Sequence, residues 1–197
     1  MKKPSTINDH NSESHLRDVR RTWRQAKCLY DQARVERAIS DVGHAIAVDY
    51  AELNPILLVM MRGGVVFAGQ LATLLPFPLE IDYLHASRYG EGASGGELVW
   101  TFKPEVSAFK GRHILIVDDI FDEGQTLHHT AQWFRENDCA SVEAAVLVTK
   151  EHARQAYTFR PKYSGMVVPD VFVVGYGMDY RGHFRNANGL FQIEPHD

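Results

Sequence analysis

Three aspartates and a glycine-containing turn follow one another in the middle of the 197-residue chain. Asp118 and Asp119 come directly after the apolar run 114–117, and Asp122 stands three residues further on. Carboxylates bind hydroxyl groups or Mg²⁺, or transfer protons. Residues 123–126 then turn the chain into a helix, whose free N–H groups and dipole favour an anion. One loop thus offers carboxylates and a phosphate cradle, a combination that suits a ribose 5-phosphate.

The elements on either side of this loop predict its position at the edge of a sheet. The run 114–117, Ile-Leu-Ile-Val, is short and mostly β-branched, which is typical of a strand buried on both faces of a parallel sheet. Open α/β sheets bind their ligands at the carboxyl ends of the strands, where the aspartates lie. A helix is predicted to begin near Thr126.

Strand and helix patterns alternate along the rest of the chain. Strands are predicted at 56–60, 79–84, 97–102, 142–149 and 171–174, and helices at 16–50 and 65–75. The alternation predicts an α/β fold with a mostly parallel central sheet and helices on both faces. Four loops are then expected to meet at its carboxyl edge, namely 61–64, 87–96, 118–126 and the loop at Lys150.

Composition narrows the class of protein. The chain is 45% hydrophobic and 23% charged, with a formal net charge of −4, which argues against nucleic-acid binding as the main function. The longest strongly apolar run, 56–61, is too short to cross a bilayer, so no membrane role is expected and the protein is predicted to be cytoplasmic. Residues 1–15 lack apolar periodicity and are predicted to be a mobile tail, with 16–197 forming a single domain.

The stretch 116–127, IVDDIFDEGQTL, resembles the signature of type I phosphoribosyltransferases, which bind 5-phospho-α-D-ribosyl 1-pyrophosphate (PRPP). From about Cys28 to Arg185 the chain resembles the hypoxanthine-guanine phosphoribosyltransferases in the order and spacing of its motifs. The resemblance implies the type I phosphoribosyltransferase fold, with a core at about 35–160 and a small hood formed by about 16–34 and 161–197. It also implies Mg²⁺ as cofactor and a homodimer or homotetramer.

The resemblance also assigns the residues that hold the donor. The stretch 61–64 resembles the family's pyrophosphate loop, and this resemblance implies a cis peptide bond between Met61 and Arg62. The glycine-rich stretch 87–96 resembles a catalytic lid, although Arg88 stands where the family commonly has serine. Glu123 stands where a small hydroxyl residue is frequent. The implied donor-binding residues are Arg62, Gly63, Gly64, Tyr89, Asp118, Asp119, Glu123, Gly124, Gln125, Thr126 and Arg185.

For the acceptor base, the resemblance implies recognition of the purine O6 by Lys150 and a general acid/base role for Asp122 near N7. Phe172 matches the aromatic residue that stacks on the base, and Val173 the residue whose backbone reads the base edge. Without the resemblance, the apolar run around Phe172 and Val173 predicts that both side chains pack in the core. The residues implied to bind Mg²⁺ or its water are Asp118, Asp119 and Asp179.

The implied function is purine salvage, in which the 5-phosphoribosyl group of PRPP is transferred to hypoxanthine or guanine to give IMP or GMP and pyrophosphate. One alternative is a transferase for another base such as xanthine. A second is a non-enzymatic regulator that senses PRPP and binds DNA, and a third is a diphosphokinase that makes the donor. Asp122, Lys150 and the lid resemblance disfavour the regulator, and the lid and the purine pocket disfavour the diphosphokinase.

Overall fold

Two β-sheets with flanking helices form the part of the chain that the computed structural model describes, residues 13–88, 98–102, 105–152 and 157–195. The helices are α1 (Glu13–Arg24), α2 (Gln32–Tyr50), α3 (Val65–Ala72) and α4 (Gln125–Glu136), with a 3₁₀ turn at Val106–Ala108. The strands are β1 (Lys27–Tyr30), β2 (Ile56–Met61), β3 (Glu80–Arg88), β4 (Leu98–Phe102), β5 (His113–Phe121), β6 (Ser141–Glu151), β7 (Tyr163–Pro169), β8 (Phe172–Val174) and β9 (Leu190–Ile193).

The main sheet has six strands in the order β4-β3-β2-β5-β6-β7. All neighbouring pairs are parallel except β3 with β4, which is antiparallel at the edge. Val59 of β2 pairs with Tyr83 and Val117, and Val117 pairs with Ala145. The carboxyl ends of these strands therefore lie side by side. The predicted α/β class with a mostly parallel central sheet is confirmed.

Successive residues of the central strands point to opposite faces of the sheet, and both faces are covered. Leu57, Leu115 and Leu147 belong to the core that includes α2 and α3. Leu58, Ile116 and Val146 belong to the core on the other face, which includes α4. Burying one such side chain contributes about 1.5–3 kcal/mol. This two-sided burial explains why these strands read as continuous apolar runs.

The helix predicted over 16–50 is divided in two, and this prediction was wrong in the middle of that range. Helix α1 ends at Arg24, β1 follows, and Asp31 caps α2 by accepting a hydrogen bond from the Arg34 N–H at 2.9 Å. Strand β1 forms because it pairs with β9, from the far end of the chain. A pairing partner 160 or so residues away leaves no signal in local periodicity.

A second, three-stranded sheet of order β1-β9-β8 joins the two ends of the described chain. It draws its strands from the ranges predicted for the hood, 16–34 and 161–197. The predicted range 161–197 began too early, however, because β7 pairs with β6 and completes the main sheet. Tyr163, Met166 and Val168 of β7 are buried in the main core, which holds this strand there.

Helix α1 packs against the C-terminal segment. The Trp23 ring stacks on Phe184 and meets Phe191 edge-on, both at centroid distances of 4.9 Å. Asp18 accepts a hydrogen bond from the Tyr180 hydroxyl at 3.1 Å. The range predicted to be a mobile tail, 1–15, therefore overlaps this helix at 13–15, while residues 1–12 lie outside the described residues. Within the described ranges, every helix is too short or too polar to traverse a bilayer.

Candidate active site

A cavity of about 520 Å³ lies where the carboxyl edge of the main sheet faces β8 and the C-terminal segment. It brings together residues from five separate parts of the chain. The predicted site residues that line it are Arg62, Gly63, Asp119, Asp122, Lys150, Phe172, Val173, Asp179 and Arg185. Five further described residues line this cavity and were not predicted as site residues, namely Met61, His85, Ala86, Ile120 and Met178. His85 comes from the end of β3, where it pairs with Met61.

A second cavity of about 260 Å³ adjoins the first and is formed by the loop between β5 and α4. Asp119 and Asp122 line both cavities, so the two cavities are neighbours that share these residues. Gly124 precedes the first residue of α4 and has φ = +86°, a conformation that glycine adopts without strain. The remaining predicted residues of this loop, Asp118, Glu123, Gln125 and Thr126, line the second cavity. A cavity at a helix N-terminus suits a phosphate group.

Of the predicted residues that the structure describes, Gly64 alone is outside the lining of both cavities. Gly64 is buried behind the first cavity, where a Cβ would lie 2.6 Å from the Val117 carbonyl oxygen and 2.9 Å from that of Met60. Only glycine fits this contact between β2 and β5. Tyr89 lies outside the described residues, as does most of the predicted lid, of which only 87 and 88 fall in β3.

Asp118 and Asp119 form a pair of neighbouring acids at the end of β5. The Asp119 N–H donates to Asp118 Oδ1 at 2.9 Å, and the Asp119 side chain is buried. Burial and the adjacent Asp119 raise the pKa of Asp118 well above its usual range, and burial raises the pKa of Asp119 although the Arg185 charge opposes it. A cation bound to this pair would offset the desolvation of its charges, so the donor set fits a hard, oxygen-ligated ion such as Mg²⁺.

The pyrophosphate-loop stretch packs directly against the acid pair. The Met61–Arg62 peptide bond is cis, as the resemblance implied. A Cβ placed on Gly63 would overlap the Asp119 carboxylate, and one on Gly177, which has φ = +112°, would overlap the Gly63 carbonyl oxygen. The three loops at 63, 119 and 177 therefore touch through backbone and carboxylate atoms. Glycine at these two positions is a condition for that contact.

We expect the substitution Gly63→Ala to lower kcat/KM for the donor by at least about tenfold, because the new methyl group displaces the Asp119 carboxylate. Steady-state kinetics with varied donor concentration measures the effect. Gly69→Ala in α3 is the matched control, since a Cβ there meets nothing within 4 Å. A folded Gly63→Ala enzyme with the kinetics of the parent chain would contradict the inferred contact.

Among the described residues, Lys150 near the end of β6 and His152 just after it hold the Asp122 carboxylate. Lys150 Nζ lies 3.0 Å from Asp122 Oδ2, and His152 Nε2 lies 2.5 Å from Asp122 Oδ1. Partial burial acts to raise the pKa of Asp122, but the hydrogen bonds from Lys150 and His152 outweigh it, so that the pKa is lowered. The carboxylate is therefore ionised at neutral pH and can accept a proton. Sequence reasoning did not single out His152.

The register of the main sheet explains this cluster. Phe121 at the end of β5 pairs with Thr149 of β6. The next residues along the two parallel strands, Asp122 and Lys150, therefore emerge side by side. The sequence did not predict these neighbours, because the strand predicted at 114–117 extends to Phe121 in the structure and its pairing with β6 was not known.

Arg185 and Asp179 form a second ion pair on the C-terminal side of the cavity. Arg185 Nη2 lies 2.5 Å from Asp179 Oδ1, and Arg185 Nη1 donates to the Gly177 carbonyl oxygen at 2.5 Å. The Gly182 N–H donates to Asp179 Oδ2 at 2.6 Å. These contacts fix the Arg185 guanidinium at the cavity wall, where it offers positive charge to an anion.

Phe172 and Val173 differ in their surroundings. The Phe172 side chain is 40% exposed and faces the cavity, whereas Val173 is buried in the core. The prediction of core packing is therefore correct for the Val173 side chain and wrong for the Phe172 side chain. An aromatic ring exposed in a polar cavity offers a stacking surface to a flat ligand.

A family model described as the phosphoribosyl transferase domain matches residues 25–181 of the chain. The chain belongs to this phosphoribosyl transferase family. The match spans the main sheet, the second cavity and the lining of the first cavity except Arg185. The acid pair and the loop before α4 thus lie within a phosphoribosyl transferase domain.

Curated relatives and solved structures of phosphoribosyltransferases cover nearly the same span. A hypoxanthine-guanine phosphoribosyltransferase of Streptococcus pneumoniae (strain ATCC BAA-255 / R6) is 33% identical over 160 residues, 81% of this chain and 88% of the relative. A hypoxanthine-guanine-xanthine phosphoribosyltransferase of Tritrichomonas foetus is 31% identical, with 81% and 87% covered. The crystal structure of a hypoxanthine phosphoribosyltransferase from Staphylococcus aureus superposes with a TM-score of 0.79 at 26% identity, covering 95% of this chain and 97% of that chain.

Proposed function

We propose that this phosphoribosyl transferase domain moves the 5-phosphoribosyl group of PRPP to N9 of hypoxanthine or guanine, giving IMP or GMP and pyrophosphate. The observation that carries the proposal is that the two cavities adjoin and share Asp119 and Asp122 in their linings. The smaller cavity has the amides and carboxylates that suit a ribose 5-phosphate. The larger one has Lys150 and Phe172, which suit a 6-oxopurine. Relatives named for this activity support the assignment.

In this proposal the loop between β5 and α4 holds the phosphoribosyl part of the donor. Backbone N–H groups of the turn and the N-terminus of α4 bind the 5-phosphate, with Thr126 adding a hydroxyl. Asp118 and Asp119 bind the ribose hydroxyls. Arg62 and Arg185 supply positive charge for the pyrophosphate from opposite sides of the larger cavity.

Mg²⁺ is the proposed cofactor, held by Asp118 and Asp119 or a water between them, and by Asp179. When bound it neutralises charge on the departing pyrophosphate. The protein's own contribution is this acid pair, in which Asp119 is buried and Asp118 half-buried, and desolvation raises the pKa of both carboxyl groups. Arg185 adds a fixed cation next to Asp179.

For the acceptor, Phe172 stacks on the base and Lys150 Nζ donates to O6. The C1′–pyrophosphate bond breaks as the bond from N9 forms, and the base loses the proton carried at N7. The Asp122 carboxylate, ionised at neutral pH, accepts that proton. Lys150 has three N–H donors, so it can hold both Asp122 and O6.

A coupled assay with PRPP, Mg²⁺ and each of hypoxanthine, guanine, xanthine and adenine tests the function. We expect turnover with hypoxanthine and guanine. Activity with none of the four bases, together with retained PRPP binding, would favour a PRPP-sensing regulator instead. We expect a lower kcat/KM for xanthine than for guanine. The O2 atom of xanthine would face the backbone carbonyls near Val173 and Asp179, which suit the 2-amino group of guanine.

The name of the Tritrichomonas foetus relative includes xanthine, so a base preference that extends to xanthine is the second candidate function. The same assay decides it. The assembly proposed for the protein is a homodimer or homotetramer, as the resemblance implies, and light scattering after size-exclusion chromatography measures it.

A further inference from the structure

His152 is a buried imidazole at the active site to which the proposed reaction gives no role. Its side chain is only 5% exposed, compared with 14% for Lys150 and 36% for Asp122. Its Nε2 faces Asp122 Oδ1 at 2.5 Å. An ionised carboxylate only accepts hydrogen bonds, so Nε2 carries a hydrogen and donates it. The shorter and more buried of the two contacts to Asp122 is thus the one from His152.

Among the described residues, the charged groups around this imidazole come from three parts of the chain. Asp122 follows β5, Lys150 lies near the end of β6, two residues before His152, and Asp170 occupies the turn between β7 and β8. Asp122, His152 and Asp170 each place one ligand-type atom within 4.8 Å of the other two.

A metal ion is one possible use of such a cluster, but the contacts disfavour it. The Lys150 ammonium lies 3.0 Å from Asp122, where it would repel a cation. The hydrogen on Nε2 also occupies the direction from which that nitrogen would bind a metal. The cluster is therefore better described as a hydrogen-bonded support for the Asp122 carboxylate.

The two supports of Asp122 differ in how free they are to move. Lys150 has a flexible four-carbon stem and, in the proposed function, must also reach the purine O6. The His152 ring is rigid and packed, and it lies beside the turn that leads into Phe172 and Val173. One imidazole thus links the proton-accepting carboxylate to the strand that carries the proposed base-stacking ring.

We infer that His152 is a positioning residue, which holds the Asp122 carboxylate in its proton-accepting orientation and ionised state while Lys150 engages the base. This inference rests on the proposed function, because it assigns a second residue to the proton-transfer step proposed there. His152 itself touches neither substrate and does not exchange its proton with the base. Its effect on the reaction passes through Asp122.

If His152 positions Asp122, its removal changes the pH profile of kcat, which the loss of a purely structural residue would not do. The step requires ionised Asp122, and that form is lost as the pH falls through the pKa of the group. A hydrogen bond donated by His152 favours the ionised form and lowers the pKa. In a variant that lacks the His152 hydrogen bond, Asp122 takes up a proton at a higher pH. The acidic limb of the plot of kcat against pH then lies at higher pH.

The experiment compares His152→Leu with His152→Gln in the full-length protein. Leu fills much of the ring's volume without a donor, whereas the Gln side-chain amide places an N–H near the position of Nε2. We expect His152→Leu to lower kcat about tenfold, with KM for PRPP little changed, and to move the acidic limb to higher pH. His152→Gln should recover most of kcat and restore the limb. His44→Leu, on an exposed face of α2, is the control.

A double-mutant cycle separates this inference from the proposed function. In an Asp122→Asn background, His152→Leu should have almost no further effect on kcat, because its route of action is already removed. Full additivity of the two changes, or a His152→Leu enzyme with a reduced kcat and an unmoved acidic limb, would overturn the positioning role. If the parent chain turns over none of the purines, the proposed function fails and this inference fails with it. If the parent is active and Asp122→Asn is impaired while His152→Leu matches the parent, only this inference fails.

Discussion

Replacing Asp122 with asparagine is expected to lower kcat by about 10²- to 10⁴-fold, the range for a lost general acid or base. The amide keeps the size of the carboxylate but does not accept the proton that leaves N7. It also offers one oxygen where Lys150 and His152 both donate, so one of these donors loses its acceptor. Donor binding should be largely intact, because the donor is held by other residues of the loop. Initial rates with saturating hypoxanthine and a binding titration with PRPP measure the two effects.

Asp138→Asn is a matched control for this change. Asp138 lies just after α4, is exposed and pairs with Lys110 at 3.3 Å, away from both cavities. Its positive φ of 59° suits asparagine as well as aspartate. A kinetically silent Asp122→Asn enzyme would show that the proton-accepting role is assigned to the wrong residue. Asp118→Asn and Asp119→Asn should instead weaken PRPP binding or alter its dependence on Mg²⁺.

Adenine is expected to be a poor substrate, and the Lys150→Met substitution is expected to remove most of the preference for hypoxanthine. An ammonium group only donates, so it satisfies O6 of hypoxanthine or guanine but opposes the N6 donor of adenine. A hydrogen bond to a charged group contributes about 1.5–3 kcal/mol, so kcat/KM for hypoxanthine should fall about 10- to 150-fold in Lys150→Met.

The ratio of kcat/KM for hypoxanthine to that for adenine isolates the O6 contact. Lys150 also bonds to Asp122, so its loss slows every base through the proton-transfer step. That shared effect cancels in the ratio, which we expect to fall towards one. Lys110→Met, at an exposed lysine whose partner is Asp138, should leave the ratio unchanged. If the parent chain had the same kcat/KM for adenine as for hypoxanthine, the proposed role of Lys150 in base selection would be contradicted.

Much of the donor-binding loop was predictable because it is local. Strand β5, the acids at its end, the turn at Gly124 and helix α4 follow one another within 24 residues, His113 to Glu136, and each is determined by nearby side chains. The apolar run predicts the strand, and the glycine with φ = +86° allows the turn. The parallel sheet followed from the alternation of such runs. The roles of the individual residues stay predictions until the variants are measured.

Contacts between distant parts of the chain were decided by the tertiary structure alone. Strands β1 and β9 form because they pair with each other, and β7 forms because its alternate side chains complete the core beside β6. Phe172 is exposed in the first cavity although its neighbours in the sequence are apolar, so the sequence alone did not predict its exposure. His152 meets Asp122 only through the register of β5 against β6. Local propensity determines which segments form strands or helices without help from distant residues. Hydrogen bonding and burial between distant segments determine the remaining strands and the side-chain contacts, including which imidazole supports the proposed proton acceptor.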